Sequence, residues 1–406
     1  MKVLVLTQYY DPEPVPIPGQ IARGLRDRGH QVRVLTAAPS YPSGTVYNGF
    51  ENKRSIIVAD GIPVHRVGSL ISHSQSAVGR FASYAGFAVS AARERALIRG
   101  ADVVYVYATQ MTASIPADLW SGWHETPFVL HVQDLWPESV TESTMVPQAA
   151  RRIIDGVLDP WLRGVYTRSS GLIAIAPTMS EVLQLRSDDH RKVHTLLNWS
   201  VEDGRMVVPR DERAEASGLN LLYAGNVGDL QGLDVVIDAL SMTKATGVRL
   251  RIVGAGSSLD DIRRRAAGLL SEGQVEFYDP VPRDQLVPHL NWSDFQLIPL
   301  RDLEIFRGTI PSKFQGSLRE GIPVITNVPG DLARMVADEG LGFVARPGDA
   351  GSLSERIDEA ARIVDGRYAE LSRRSLDFYN RSMSAESALD RLEMILTDAT
   401  LATTKG

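Results

Sequence analysis

The sequence has no cysteine among its 406 residues. That absence excludes disulfides, thiolate metal sites and a cysteine nucleophile, and it fits a reducing compartment. Long apolar runs are missing too. The opening VLVL stretch is only a strand's length and gives way to a Pro-rich loop, so neither a signal peptide nor an anchor is expected there. No other segment approaches the ~20 apolar residues of a spanning helix. Low-complexity tracts and a repeat of fixed period are absent, which argues against disorder and against a solenoid. No group of histidines or carboxylates has metal-ligand spacing, so no metal is expected. Neither half is strongly basic, with a net charge of +2 over residues 1–200 and −8 over 201–406. Nucleic acid is therefore not the expected partner.

What is present is alternation. With 44% hydrophobic and 23% charged residues, the chain can bury a large interior, and its length predicts two domains of roughly 200 residues each. MKVLVLTQYY, IARGLRDRGH and QVRVLTAAP read as strand, helix and strand, the helix ending at Gly29. IPVHRVG, ADVVYVYA, PFVLHVQ, GLIAIAP and KVHTLLN continue the strands, separated by helical patterns such as SAVGRFASYAGFAVSAARERALI. After the Pro- and charge-bearing stretch NWSVEDGRMVVPRDERAEAS the alternation restarts, from LNLLYAG to LGFVA. The expectation is an α/β chain of two doubly wound, Rossmann-like domains, residues 1–199 and 200–384. Parallel sheets of this kind are covered on both faces and bind ligands at the carboxyl ends of their strands. An amphipathic segment, roughly Ala385 to Thr400, has no strand after it.

The segment FRGTIPSKFQGSLREGIPVIT, Phe306 to Thr326, reads as a loop, a short helix and a buried strand. Pro311 fits the first helical position and Gly321 the position just past the end. Free N–H groups at the helix start, from the stretch Gly308, Thr309, Ile310 and Ser312, with Lys313 in the first turn and Arg307 before it, would hold a diphosphate. The alternative for Lys313 and Arg307 is simple solvation. Arg301 and Arg283 are weaker cationic candidates. The turn Gly225-Asn226-Val227-Gly228 offers backbone that can approach phosphate closely, whereas Gly254-Ala255-Gly256 alone reads as no more than a turn. HVQDLWPES places Asp134 and Glu138 just beyond a strand end. Asp134 is either a positioning group or a helix cap, His131 either a core histidine or an acceptor contact, and Trp136 either an acceptor platform or core. Arginines including Arg80, Arg93, Arg95, Arg99, Arg151, Arg152, Arg163 and Arg168 interleave with aromatics in the first half. They would seat the protein on an anionic bilayer, hold a phosphorylated acceptor, or form a solvated helix face.

In order along the chain, QYYDPEP, RGHQVRVLTAAPSYPSG, HVQDLWPES, YAGNVGDLQGLDVVIDA, IVGAGSS, PRDQL, IPLRD and FRGTIPSK…GIPVI together resemble the GT-B glycosyltransferases of family 4, including bacterial fucosamine transferases that build cell-surface glycans. The resemblance covers nearly the whole chain. It implies a GT-B fold with two domains facing across a cleft, the donor on residues 200–384, the acceptor on 1–199, and a final helix, 385–406, packing back on the first domain. It implies retaining, metal-independent transfer from a nucleoside-diphosphate sugar, UDP-linked and N-acetylated or deoxy, to a lipid-linked or small-molecule acceptor. No cofactor is implied beyond that donor, and the setting implied is cytoplasmic, at the inner face of the membrane. Gly19, after Pro18, is expected to open the first helix near the transferred diphosphate, Gly254 to lie near the nucleotide, and Pro280-Val281-Pro282-Arg283 to face the base.

The chain also departs from the family. Relatives carry Arg and Lys where Asn226 and Gln231 stand, and glutamates where Gly308 and Gly316 stand. Glu320, one turn past Gly316, reaches the ribose instead, or the donor differs at that end, or activity is lost. The last possibility makes a non-catalytic GT-B binding protein an alternative, with a nucleotide-sugar epimerase as another.

Overall fold

The structure, a computed structural model, describes residues 1–71, 77–138, 148–200, 218–363 and 365–403. The chain divides into two compact units, residues 1–201 with 385–406, and residues 202–384. Most of the Pro- and charge-bearing stretch between the expected domains falls at 201–217, outside the described residues.

Unit 1 runs β1 (Lys2–Thr7), α1 (Pro16–Asp27), β2 (Gln31–Ala37), β3 (Ser55–Ala59), β4 (Ile62–Val67), α2 (Ala77–Ala92), α3 (Arg95–Arg99), β5 (Val103–Ala108) and α4 (Ile115–His124). It continues with β6 (Phe128–Val132), α5 (Gln148–Arg168), β7 (Gly171–Ala174), α6 (Pro177–Arg186) and β8 (Val193–Thr195). The sheet order is β3-β4-β2-β1-β5-β6-β7-β8, and every pairing is parallel except β3 with β4. β1 and β5 are buried over nearly their whole length, as strands covered on both faces must be, and their near-continuous apolar runs of Val with Leu or Tyr follow from that. β3 is an antiparallel edge that the strand reading passes over. Ile56, Ile57 and Val58 are all exposed on it, so no buried face imposes an alternating pattern. The long helical pattern over residues 76–98 divides into α2 and α3.

Unit 2 runs β9 (Leu219–Ala224), α7 (Leu233–Met242), β10 (Val248–Val253), α8 (Leu259–Arg265), α9 (Ala267–Ser271), β11 (Val275–Tyr278), α10 (Val287–Trp292) and β12 (Phe295–Ile298). Then come α11 (Ser312–Arg319), β13 (Val324–Thr326), α12 (Asp331–Asp338), β14 (Gly342–Val344), α13 (Ala350–Ala361) and α14 (Asp365–Ser382). All six strands are parallel, in the order β11-β10-β9-β12-β13-β14. Numbered within the unit this is 3-2-1-4-5-6, whose direction reverses between β9 and β12. A crevice opens at such a reversal, outside the carboxyl ends of the two strands.

The last helix, α15 (Ala385–Thr403), belongs to unit 1. Ala388, Leu389, Leu392, Ile395, Leu396 and Ala399 recur at three- and four-residue intervals and pack into the core with Val3, Tyr105, Val129 and Ile173. Burying each large side chain of that stripe contributes about 1.5–3 kcal/mol. Polar groups fasten its rim to α1: Arg28 meets Asp390 at 2.6 Å and Glu393 at 3.1 Å, and His30 Nε2 lies 2.8 Å from Glu393.

Candidate active site

At the reversal point of unit 2, two glycine turns lie backbone to backbone. A Cβ on Gly254 would sit 1.9 Å from the Gly225 carbonyl oxygen, and one on Gly256 would sit 2.3 Å from that of Val227. Only glycine permits this approach, and the turns are laced by Val227 N–H to Ala255 O at 2.8 Å and Ser258 N–H to Val227 O at 3.0 Å. Gly225 itself has φ 141°. A Cβ there would meet Lys313 Cε at 2.7 Å and Nζ at 3.0 Å, so the ammonium lies directly over the bare backbone of the turn. Beneath it is the Tyr223 ring, its centroid 4.7 Å from Nζ. No hydrogen bond or ion pair holds Lys313 among the described residues. Desolvation lowers its pKa below the usual lysine value, because the surroundings disfavour a charge that nothing yet compensates.

Lys313 is in the first turn of α11. Pro311 is the residue before the helix rather than its first, with φ −63° and ψ 143°, and no side chain caps this end. The Phe314 N–H is taken by Pro311 O at 2.9 Å, and those of Ser312 and Lys313 are left for an outside acceptor. Ser312 opens the helix and is exposed, and the loop Gly308, Thr309 and Ile310 before it is half-buried. Thr309 donates its hydroxyl to Ile305 O at 3.3 Å. A Cβ on Gly330 would fall 2.0 Å from Arg307 O, so the Arg307 backbone rests on that turn.

The other cations differ from Lys313. Arg307 Nε lies 2.6 Å from Glu304 on the surface. Arg301 is held by Asp229 at 2.8 Å and Asp234 at 2.9 Å. Arg283 falls in a short turn at 283–285, and its side chain lies outside the described residues. Asn226 and Gln231 pair with each other at 3.1 Å, and Gln231 also accepts from Gly228 N–H at 3.0 Å. Val281 packs against the small cluster of Leu222, Val253, Leu290 and Ile322. Gly316 is half-buried at mid-helix. Glu320 ends α11 with its carboxylate buried against Arg319, whose Nε is 2.7 Å away.

In unit 1 the sheet order reverses between β1 and β5. Beyond their carboxyl ends Gln110 donates to Gln8, and Gln8 lies 3.3 Å from Ser83 Oγ. Next to them Gln133 Oε1 accepts from Tyr107 at 3.0 Å and from Asn198 at 2.9 Å, while Gln133 Nε2 and Asn198 Oδ1 have no partner among the described residues. This amide cluster is absent from the sequence reading, because its members are scattered from 8 to 198 and carry no motif. Asp134 follows at once. It is exposed and makes no hydrogen bond among the described residues, yet the surrounding protein mass raises its carboxyl pKa.

The remaining expected acceptor contacts are structural in their surroundings. His131 is wholly buried with Nδ1 2.6 Å from Tyr105 Oη, and burial lowers its pKa to about 3. That removes it from any surface on which an acceptor rests. Trp136 is interior as well, its ring 5.7 Å from that of Phe81. Glu138 is paired to Arg186. Gly19 does not open the first helix, which begins at Pro16; it lies one turn in, where a Cβ would fall 2.2 Å from Asp11 Oδ2.

Residues 16–199 match the family model for a glycosyl transferase 4-like domain, and residues 218–362 match that for glycosyl transferases group 1. The chain is 23% identical over 246 residues to the probable glycosyltransferase WbjE of Pseudomonas aeruginosa, covering 58% of this chain and 60% of WbjE. It thus spans about three fifths of that relative's length. With WcaI of Escherichia coli K12, provisionally named a colanic acid biosynthesis glycosyl transferase, it is 26% identical over 343 residues, 79% of this chain and 82% of WcaI. The crystal structure of HepE of Anabaena in complex with UDP-glucose shares the fold, with a TM-score of 0.62 and 16% identity over 98% of this chain and 99% of HepE. With one family model on each unit and the two doubly wound sheets already described, the chain belongs to the GT-B glycosyltransferases of the family-4 type.

Proposed function

We propose that this protein transfers a sugar, N-acetylated or deoxy, from a UDP-linked donor to a lipid-linked or small-molecule acceptor, with retention at the anomeric carbon. The observation that carries the reading is Lys313, an unmatched ammonium over the Gly225 turn beside an uncapped helix start. Such a site suits a diphosphate, and HepE, which shares the fold, has been crystallised with UDP-glucose. As the bond from the anomeric carbon to the diphosphate oxygen breaks, charge grows on that oxygen, and preorganised N–H groups with a nearby cation stabilise it. The acceptor oxygen attacks from the face the diphosphate leaves. Its proton passes to a departing phosphate oxygen, so no protein nucleophile is required. Arg307 supplements Lys313 after releasing Glu304, and Asp134 positions the acceptor hydroxyl. Val281 and Gly254 border the base. Charge neutralisation falls to these groups rather than to a metal.

Incubation with UDP-sugars and acceptor glycolipids, with the product anomer read by NMR, tests the reaction. Retained configuration, undiminished by EDTA, is expected; inversion or loss with chelator contradicts it. A second reading, a binding protein that does not transfer, is favoured by one observation: Glu320, offered in place of the carboxylates missing at Gly308 and Gly316, is already engaged by Arg319. Tight UDP-sugar binding without turnover on any acceptor would support it.

A further inference from the structure

The free edge of the unit 1 sheet carries an apolar strand that the transfer chemistry does not use. β3 reads SIIVA, with Ile56, Ile57 and Val58 56%, 40% and 72% exposed. Sheet edges are ordinarily blunted by charge, proline or a bulge. β3 has none of these, and its five residues pair with β4 in unbroken register. The direction of its backbone groups follows from β4. Val67 O accepts from Ala38 N–H, just past β2, at 3.1 Å. Backbone groups alternate along a strand, so Pro63 and His65 also face β2, while Ile62, Val64 and Arg66 face β3. The residues opposite those three are Ala59, Ile57 and Ser55, which leaves the N–H and C=O groups of Ile56 and Val58 turned to the open edge. No hydrogen bond meets them there among the described residues. Such a row is a template for another strand.

The charges at its two ends select which strand. Lys53 and Arg54 precede β3, and Asp60 follows it. An antiparallel copy of the same segment sets each basic end against an acidic one, whereas a parallel copy sets like charge on like. Arg54 binds Glu94 and Asp60 lies 3.3 Å from Arg23, yet their side chains remain 67% and 58% exposed. We propose that the chain forms a two-fold symmetric dimer through β3, the two strands running antiparallel. Ile56 of each copy then stands opposite Val58 of the other, Arg54 falls near Asp60, and Ile57 meets its own counterpart on the axis. The contact is self-complementary, as a two-fold interface must be, and it joins two eight-stranded sheets edge to edge. The dimer does not depend on the transfer reading.

Because the chain has no cysteine, an introduced thiol is the only one, and cross-linking reads the register directly. Under mild oxidation of the full chain, Ile57→Cys should give a disulfide-linked dimer on a non-reducing gel. Ile56→Cys alone and Val58→Cys alone should not, because diagonal neighbours stand about 7–8 Å apart, past the reach of a disulfide. Mixing those two variants should restore the link. Sedimentation equilibrium of the wild type should give twice the chain mass. Val58→Lys, at the most exposed of the three positions, should give the mass of one chain, with unchanged far-ultraviolet dichroism to verify folding. A monomeric wild type, a dimer that survives Val58→Lys, or cross-linking of Ile56→Cys or Val58→Cys alone in place of Ile57→Cys would each overturn the proposal.

Discussion

Lys313 differs from Arg301 and Arg307, which are paired with carboxylates, because no ion pair holds it among the described residues. Truncating it to alanine removes the ammonium while leaving Gly225 and the helix start in place, so donor turnover is expected to fall roughly 10²–10³-fold, the range seen when one preorganised charge-stabilising donor is lost. A thermal-shift titration with UDP-sugars, which reads binding through stabilisation of the folded state, should show the corresponding loss of affinity. Because desolvation lowers the Lys313 pKa, its charge disappears at a lower pH than that of an exposed lysine. Donor affinity should therefore fall as pH rises on an alkaline limb, and Lys313→Arg should remove that limb. An unchanged limb in the arginine variant would assign it to another group. Gly254→Ala makes a different point: its Cβ would strike Gly225 O in a conformation with φ 154°. A loss of about 1–3 kcal/mol is expected, read as a lower unfolding temperature together with weakened UDP binding. Lys313 was legible in the sequence because Pro, Ser and Lys open a helix in a recognisable order. The amide cluster of Gln8, Gln110, Gln133 and Asn198 was not, since only the parallel crossovers of the sheet bring those positions together.

Between α1 and α15 the packing turns on Gly24. A Cβ there would lie 2.3 Å from Leu389 Cδ1, and Leu389 is part of the buried stripe. Gly24→Ile should overpack the contact and destabilise unit 1 by about 1–3 kcal/mol, measurable by thermal unfolding. The rim of the same contact is pH-sensitive. Desolvation opposes ionisation of Glu393, but hydrogen bonds from His30 and Arg28 outweigh it and lower its pKa below the ordinary 4.5. A depressed carboxylate stabilises the fold above its unfolded pKa and loses that contribution as pH falls through the folded one. Hydrogen exchange in α15 should therefore rise below about pH 4.5, and Glu393→Gln should flatten the response. At this scale the buried strands were readable from their apolar runs and the amphipathic α15 from its period. β3 was not, because an edge exposed at Ile56, Ile57 and Val58 imposes no pattern. The break between α2 and α3 carries neither Gly nor Pro, so periodicity runs straight through it.

Across the whole molecule, two doubly wound sheets each reverse order at a point where polar groups gather, glycine turns and an ammonium in unit 2 and an amide cluster in unit 1. The 201–406 segment carries a net charge of −8, so its long-range field does not draw in a diphosphate. On the proposed reading, binding depends on local groups at the reversal point. The association rate for UDP should therefore lack the steep fall with ionic strength that marks electrostatic steering, a dependence stopped-flow fluorescence can measure. The proposed transfer stands on where the diphosphate sits, which a crystal structure of the chain with UDP would locate. The diphosphate is expected within hydrogen-bond reach of Lys313 Nζ and the leading N–H groups of α11, over the Gly225 turn; finding it bound away from residues 306–313 would overturn the proposed site.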